Sequence, residues 1–207
     1  VALDGDGDRL MMVDRTGRVF DGDSLIYVIA KARAQADKLQ GGVVGTVMTN
    51  LAMEIALKER GIEFVRAKVG DRYVLEQLYQ RGWQVGGEAS GHILCMDKHN
   101  TGDGIISALQ VFAALGELGV DLNSVLSDWQ AYPQTMINVR INKGHEWQPA
   151  AEPVLKQVEQ ALGQQGRVVL RASGTEPVVR VMVEAKDASV AKASAEKIAA
   201  AIEASIH

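Results

Sequence analysis

Three aspartates alternate with glycines near the start of the chain, Asp4-Gly5-Asp6-Gly7-Asp8, and Arg9 follows them. Glycine lets the backbone turn tightly enough to aim alternate carboxylates at one point. Carboxylates so placed repel one another unless a cation lies between them. An all-oxygen donor set suits a hard divalent ion, Mg²⁺ or Ca²⁺, better than zinc, and leaves coordination positions for water or a phosphate oxygen. The run shares its opening with an EF-hand loop, but Arg9 stands where that loop needs glycine and Arg15 where it needs glutamate. The alternative is a solvated acidic hairpin, since Asp and Gly are common turn residues.

Two further glycine-punctuated loops carry functional groups. Gly86-Gly87-Glu88-Ala89-Ser90-Gly91-His92 offers a carboxylate, a hydroxyl and an imidazole within five residues. Glu accepts from two sugar hydroxyls, Ser gives and takes, and His does either or carries charge against a phosphate; a plain turn with a surface His is the alternative. Arg171-Ala172-Ser173-Gly174-Thr175-Glu176-Pro177, with Arg180 beyond it, has the make-up of an anion nest. Small residues bare their backbone N–H groups and two arginines supply charge and bidentate geometry, which fits a phosphate monoester. An ordinary hairpin turn with solvated arginines is the alternative there. In Lys68-Val69-Gly70-Asp71-Arg72-Tyr73 two cations flank a helix start, where an anion could be met. Thr101-Gly102-Asp103 reads as a capping turn.

The elements that must position these loops follow from periodicity. Short strands at 1–3 and 10–13 flank the acidic loop as a hairpin, and a helix over 24–39 is capped by Asp23 or Ser24 and stopped by Gly41-Gly42. From Val43 the pattern runs strand 43–48, helix 50–60, strand 62–67, helix 71–81, strands 83–87 and 92–96, and helix 103–118. Asn50, Asp71 and Asp103 are the expected caps, and the alternation predicts a layered α/β domain. Gln130 to Pro133 reads as a linker, after which strand 134–142, helix 149–162, strands 167–171 and 178–185 and helix 188–206 form a smaller α+β unit.

Composition sets the limits. The chain has 207 residues, 47% hydrophobic and 23% charged, which is ordinary for a folded protein and excludes disorder as the main state. A net charge of −4 gives no basic stripe, so neither nucleic acid nor a membrane is an expected partner. Cys95 is the single cysteine and cannot form an internal disulfide, which fits a reducing, cytoplasmic setting. The first residues have neither a starting Met nor a basic leader segment and read as an internal cut.

Taken in order, the four motifs resemble those of the α-D-phosphohexomutase family. The resemblance rests on Asp4 to Arg9, Lys68 to Val74, Gly87 to His92, and Arg171 to Pro177 with Arg180-Val181-Met182, and extends from end to end. It implies a four-domain enzyme with its active site in a central cleft. Residues 1–40 would be the end of domain two with the metal loop, 41–130 the α/β domain three with the sugar-binding loop, and 134–207 the α+β domain four with the phosphate-binding loop. It further implies Mg²⁺ on Asp4, Asp6 and Asp8, with Arg9 steadying phosphoryl oxygens. Glu88, Ser90 and His92 would bind the sugar, Lys68, Asp71 and Arg72 would line the cleft, and Arg171, Ser173, Gly174, Thr175 and Arg180 would grip the phosphate that is not reacting.

The family's phosphoserine loop has no counterpart in this sequence, so the nucleophile is expected upstream, in N-terminal domains of the same enzyme, and this chain is expected to be inactive alone. Val69 to Val74 points to the amino-sugar branch, in which glucosamine 6-phosphate and glucosamine 1-phosphate interconvert through glucosamine 1,6-bisphosphate. The phosphomannose and phosphoglucose branches are the alternative within the enzyme class. A phosphosugar-binding module without catalysis is the alternative outside it.

Overall fold

The computed structural model describes residues 1–142, 145–173 and 176–206, arranged as two compact units, Val1–Gln130 and Ala131–His207. The metal loop sits in the hairpin between β1 (Ala2–Leu3) and β2 (Leu10–Val13), which pair antiparallel, and β3 (Val19–Phe20) adds to β2. The α1 helix (Gly22–Gln35) follows. Its cap is Asp21, whose Oδ1 accepts from the Ser24 amide at 3.0 Å, and not Asp23 or Ser24 as the sequence suggested. Asp23 lies one residue inside the helix and is buried. The helix also stops earlier than expected, at Ala36 followed by Asp37 with φ of 55°.

The layered α/β part is built as predicted. Strands β4 (Val43–Thr46), β5 (Phe64–Ala67), β6 (Val85–Gly87) and β7 (Ile93–Cys95) form a sheet in the order β5-β4-β6-β7, parallel except for the β6–β7 hairpin. Helix α2 (Leu51–Glu59) starts from its Asn50 cap, and α4 (Gly104–Leu118) from Asp103, whose Oδ1 accepts from the amides of Ile105 and Ile106 at 2.9 Å. Helix α3 (Asp71–Arg81) differs: its N-cap is Gly70 with φ of 125°, a conformation glycine alone takes without strain, and among the described residues no side chain caps it. Asp71 is instead the first helical residue.

Side-chain alternation along β6 locates the layers. A Cβ on Gly86 would point into Val74 of α3, and one on Gly87 would meet Ile26 of α1, so the two helices cover opposite faces. On the α3 side Val44, Ala67, Val74, Leu78 and Leu94 form a buried cluster. The segment after α4 is tied back by Asp128, which accepts from the Tyr27 hydroxyl at 2.6 Å and the Lys31 ammonium at 3.0 Å and pairs with Arg60. Partial burial works against the Asp128 charge, but these hydrogen bonds outweigh it and hold the carboxyl at about 2.

The order β5-β4-β6 has a consequence for function. The chain leaves β4 to one side for β5 and returns to the other for β6, so the strand order reverses between β4 and β6. In open α/β sheets the ligand crevice lies outside the carboxyl ends of the strands at such a point. The loops that leave those ends are 47–50, 68–70 and 88–92.

The second unit is an antiparallel sheet in the order β8-β10-β9, from β8 (Gln134–Arg140), β9 (Gly166–Ala172) and β10 (Val178–Ala185). Helices α5 (Gln148–Leu162) and α6 (Ala188–Ala204) cover one face through Val139, Val158, Val179, Val181, Val183 and Ile198. No helix among the described residues is long and apolar enough to cross a membrane.

Two glycines of the first unit separate close packing from mere flexibility. A Cβ on Gly22 would run into the Glu88 carbonyl oxygen and the Gly91 amide, whereas one on Gly116, inside α4, would meet nothing within 4 Å. Gly22→Ala is expected to destabilise the fold by about 1–3 kcal/mol and Gly116→Ala to stabilise it by about 0.5–1 kcal/mol, read from urea midpoints. Equal effects would show that the loop at 88–91 does not depend on close docking.

Candidate active site

The acidic loop closes as its composition demands. One oxygen from each of Asp4, Asp6 and Asp8 lies within 4.8 Å of the others. Arg9 donates its amide to Asp4 Oδ1 at 3.2 Å, with its guanidinium 3.8 Å from Oδ2. Partial desolvation works to raise the Asp4 pKa, but the hydrogen bond from the Arg9 amide, with the Arg9 charge, helps hold the carboxyl below its usual range. Gly7 takes φ of 74° and its carbonyl accepts from the Gly104 amide at 2.9 Å, so the loop is seated on the first residue of α4.

Asp8 joins this loop to the next one. Its Oδ2 lies 3.0 Å from Nδ1 of His92, whose side chain is 8% exposed. An ionised carboxylate only accepts, so the Nδ1–H of the ring is the donor in this pair. Beneath the ring is Gly102, where any Cβ would strike Nε2 and Cε1. The backbones pair too: Arg9 and His92 form an antiparallel bridge, and Leu10 donates its amide to the Gly91 carbonyl at 3.0 Å. Asp8 Oδ1 is closed to solvent and has no hydrogen-bond partner among the described residues. A buried acceptor without a donor is costly, and a cation between the three aspartates would satisfy it. With hard oxygen donors alone at the point of convergence, the residues fit Mg²⁺.

Loop 87–92 has a second tether. Glu88 Oε1 accepts from the Gly70 amide at 2.9 Å, which ties it to the loop at the end of β5. Beyond Gly70, Arg72 donates to the Tyr73 hydroxyl at 2.9 Å with its guanidinium 4.8 Å from the ring centre, and Lys68 Nζ lies 5.7 Å from the same centre. Tyr73 thus has both cations within 6 Å of its ring centre. Asp71 is exposed and accepts from the Arg72 amide at 2.7 Å; Ser90 is exposed.

Asp4, Asp6, Asp8, Arg9, Lys68, Asp71, Arg72, Glu88, Ser90 and His92 therefore all stand on the first unit, linked in one chain of contacts from the metal loop through His92 and Glu88 to Gly70. Arg171, Ser173 and Arg180 stand on the second. Arg171 lies directly opposite Arg180 across β9 and β10, and Ser173 closes the turn with its amide on the Val178 carbonyl at 2.8 Å. Gly174 and Thr175 lie outside the described residues.

Sequence reading missed two supports. Gly102, within the expected capping turn, makes room for His92, and Gly104, which no motif singles out, makes room for the metal loop. Asp23, expected as a cap, is instead buried with Oδ2 accepting from the Asn50 amide at 2.8 Å, which locks α1 to the loop that leaves β4.

Residues 21–132 match the model for phosphoglucomutase/phosphomannomutase, alpha/beta/alpha domain III, and residues 136–201 that for the C-terminal domain. The chain belongs to the phosphoglucomutase/phosphomannomutase family. The domain III match begins at Asp21 and so takes in α1. The chain is similar to phosphoglucosamine mutases of Neisseria subflava and of Neisseria meningitidis serogroup B, 75% identical to each over 202 residues, covering 98% of this chain but 45% and 46% of those proteins. It thus spans somewhat less than half the length of the curated relatives it matches. In fold it is similar to the crystal structure of Aspergillus fumigatus N-acetylphosphoglucosamine mutase in complex with GlcNAc-6P and magnesium, with a TM-score of 0.77 at 24% identity over 97% of this chain and 51% of that one.

The buried carboxyl of Asp23 yields a pH prediction. Desolvation, with repulsion from Asp21, outweighs the hydrogen bonds from Asn50 and Thr49 and the charge of Arg66, and raises its pKa from 3.8 to about 7. Between those values the folded state holds a proton that the unfolded state has released, so this group's contribution to stability falls as pH rises. The wild type should lose stability relative to Asp23→Asn from pH 4 to 7 in paired urea titrations; parallel pH profiles would contradict the assignment.

Proposed function

We propose that this chain is the metal-, sugar- and phosphate-binding part of a phosphoglucosamine mutase, an intramolecular phosphotransferase that interconverts glucosamine 6-phosphate and glucosamine 1-phosphate through glucosamine 1,6-bisphosphate. The observation that carries the reading is the Asp8–His92 hydrogen bond, which makes the acidic loop and the Glu88–His92 loop one structure at the strand ends. The identity of the relatives favours the glucosamine branch over the phosphoglucose and phosphomannose branches.

In this reading Asp4, Asp6 and Asp8 hold Mg²⁺, which when bound neutralises charge on the transferring phosphoryl group. Arg9, joined to Asp4, is placed to steady the same oxygens. Glu88 uses Oε1 on the Gly70 amide and keeps its other oxygen for a sugar hydroxyl, while Ser90, exposed at the tip of the loop, gives or takes a second hydrogen bond. Lys68 and Arg72, gathered on Tyr73, add positive charge beside Glu88 for a doubly phosphorylated sugar, and Asp71 stands at the same helix start. Arg171, Ser173, Gly174, Thr175 and Arg180 grip the phosphate that is not reacting, which contributes positioning to the transfer. The phosphoryl-donating serine belongs to the part of the longer enzyme that this chain does not span, the domains form the partner that completes the site, and the whole works in the cytoplasm. Residues 1–20 carry the end of the preceding domain, with the sugar-binding and phosphate-binding domains after it.

Positioning groups without a phosphoryl carrier have nothing to accelerate. The 207-residue chain should give no isomerisation of glucosamine 6-phosphate even with catalytic bisphosphate, and the full-length protein should turn over. Turnover by the chain alone would contradict the division of roles. In calorimetry the chain should bind Mg²⁺ and Asp6→Asn should weaken it markedly; undiminished binding by that variant would remove the acidic loop from the metal site.

A further inference from the structure

The face of the second sheet turned away from α5 and α6 treats its arginines in two ways. At one end Arg167 lies opposite Glu184, their side chains 3.0 Å apart, and Gln134 on β8 donates to the same Glu184 oxygen at 2.8 Å. That guanidinium is matched by a fully buried carboxylate. At the loop end the pairing is the reverse: Arg180 has Arg171 directly opposite on β9 and Asn138 directly opposite on β8. One step toward the loop, Arg140 lies opposite Val178. It is therefore diagonal to Arg180 on the same face, a spacing of about 7–8 Å that long side chains bridge.

Like charges facing each other across strands destabilise a sheet. The carboxylate that meets this group is Glu176, exposed and 3.6 Å from Arg180. Among the described residues the side chains of Arg140 and Arg171 have no hydrogen bond or ion pair. Three arginines against one glutamate leave two positive charges, which matches the charge of about −1.5 to −2 on a phosphate monoester.

We propose that Arg140 is a third phosphate-binding residue, closing on the phosphomonoester from β8 while Arg171 and Arg180 hold it from β9 and β10, with Asn138 beside Arg180 to hydrogen-bond the sugar end. The inference rests on the reading of loop 171–177 as the phosphate grip. It extends that grip to a strand about thirty residues earlier in sequence, which the loop motif does not include.

The test is calorimetric titration of the 207-residue chain with glucosamine 6-phosphate, and with glucosamine as the probe without phosphate. Arg140→Gln should weaken glucosamine 6-phosphate binding roughly 10-fold, as should Arg171→Gln, while Arg140→Lys keeps the charge and recovers part of the loss. Circular dichroism of the exposed Arg140 variants should match the wild type. Normal affinity in Arg140→Gln with weakened affinity in Arg171→Gln would overturn the role of Arg140 and leave the loop reading standing. Normal affinity in both, an equal loss for glucosamine, or no measurable binding by the wild type would overturn both.

Discussion

The site depends on the hydrogen bond between Asp8 and His92. Asp4, Asp6 and Asp8 are held together against their own repulsion, and one oxygen of Asp8 is shut away from water with no hydrogen-bond partner among the described residues. What fixes that arrangement is an imidazole, almost wholly buried, delivered by a loop more than eighty residues later in sequence. The same bond fixes the orientation of the His92 ring. An outer partner of this kind orients ligands and tunes the ion they bind, and its loss elsewhere costs 10- to 100-fold in metal affinity.

Everything around that bond exists to let backbones come close. Gly91 lies against Leu10, Gly22 against the carbonyl of Glu88, Gly102 beneath the imidazole and Gly104 against the carbonyl of Gly7. Side chains at these positions would push the loops apart by the width of a methyl group, and the three carboxylates would lose their common focus. The parallel sheet supplies the rest. Its strand order reverses between β4 and β6, which brings the loops bearing Lys68 and Glu88 to one edge, and the bond from Glu88 to the Gly70 amide draws them together.

Most of the fold was legible in the sequence because its signals are local. Asn50 and Asp103 cap their helices as read, Gly82 ends α3, and alternation at 135–141 gives β8. The errors came where several residues competed for one role. Asp21, Asp23 and Ser24 could each cap α1, and only the distant amide of Asn50 decides that Asp23 turns inward. Asp71 has the residue type of a cap, since carboxylates favour that position, but the cap is Gly70, whose φ of 125° suits glycine. The site loops were legible because tight turns concentrate glycine beside functional groups. Gly102, Gly104 and the Tyr73 stacking were not, since their roles lie in contacts with partners that no local pattern names.

The central claim is that metal and sugar loops act as one unit through Asp8 and His92. It is tested most directly by following the ¹⁵N resonances of the His92 ring during a Mg²⁺ titration of the chain. The account predicts that Nδ1 shifts in step with saturation of the Asp4–Asp8 amides, and that Asp8→Asn abolishes the shift. Saturation of those amides with the His92 ring unmoved would contradict it.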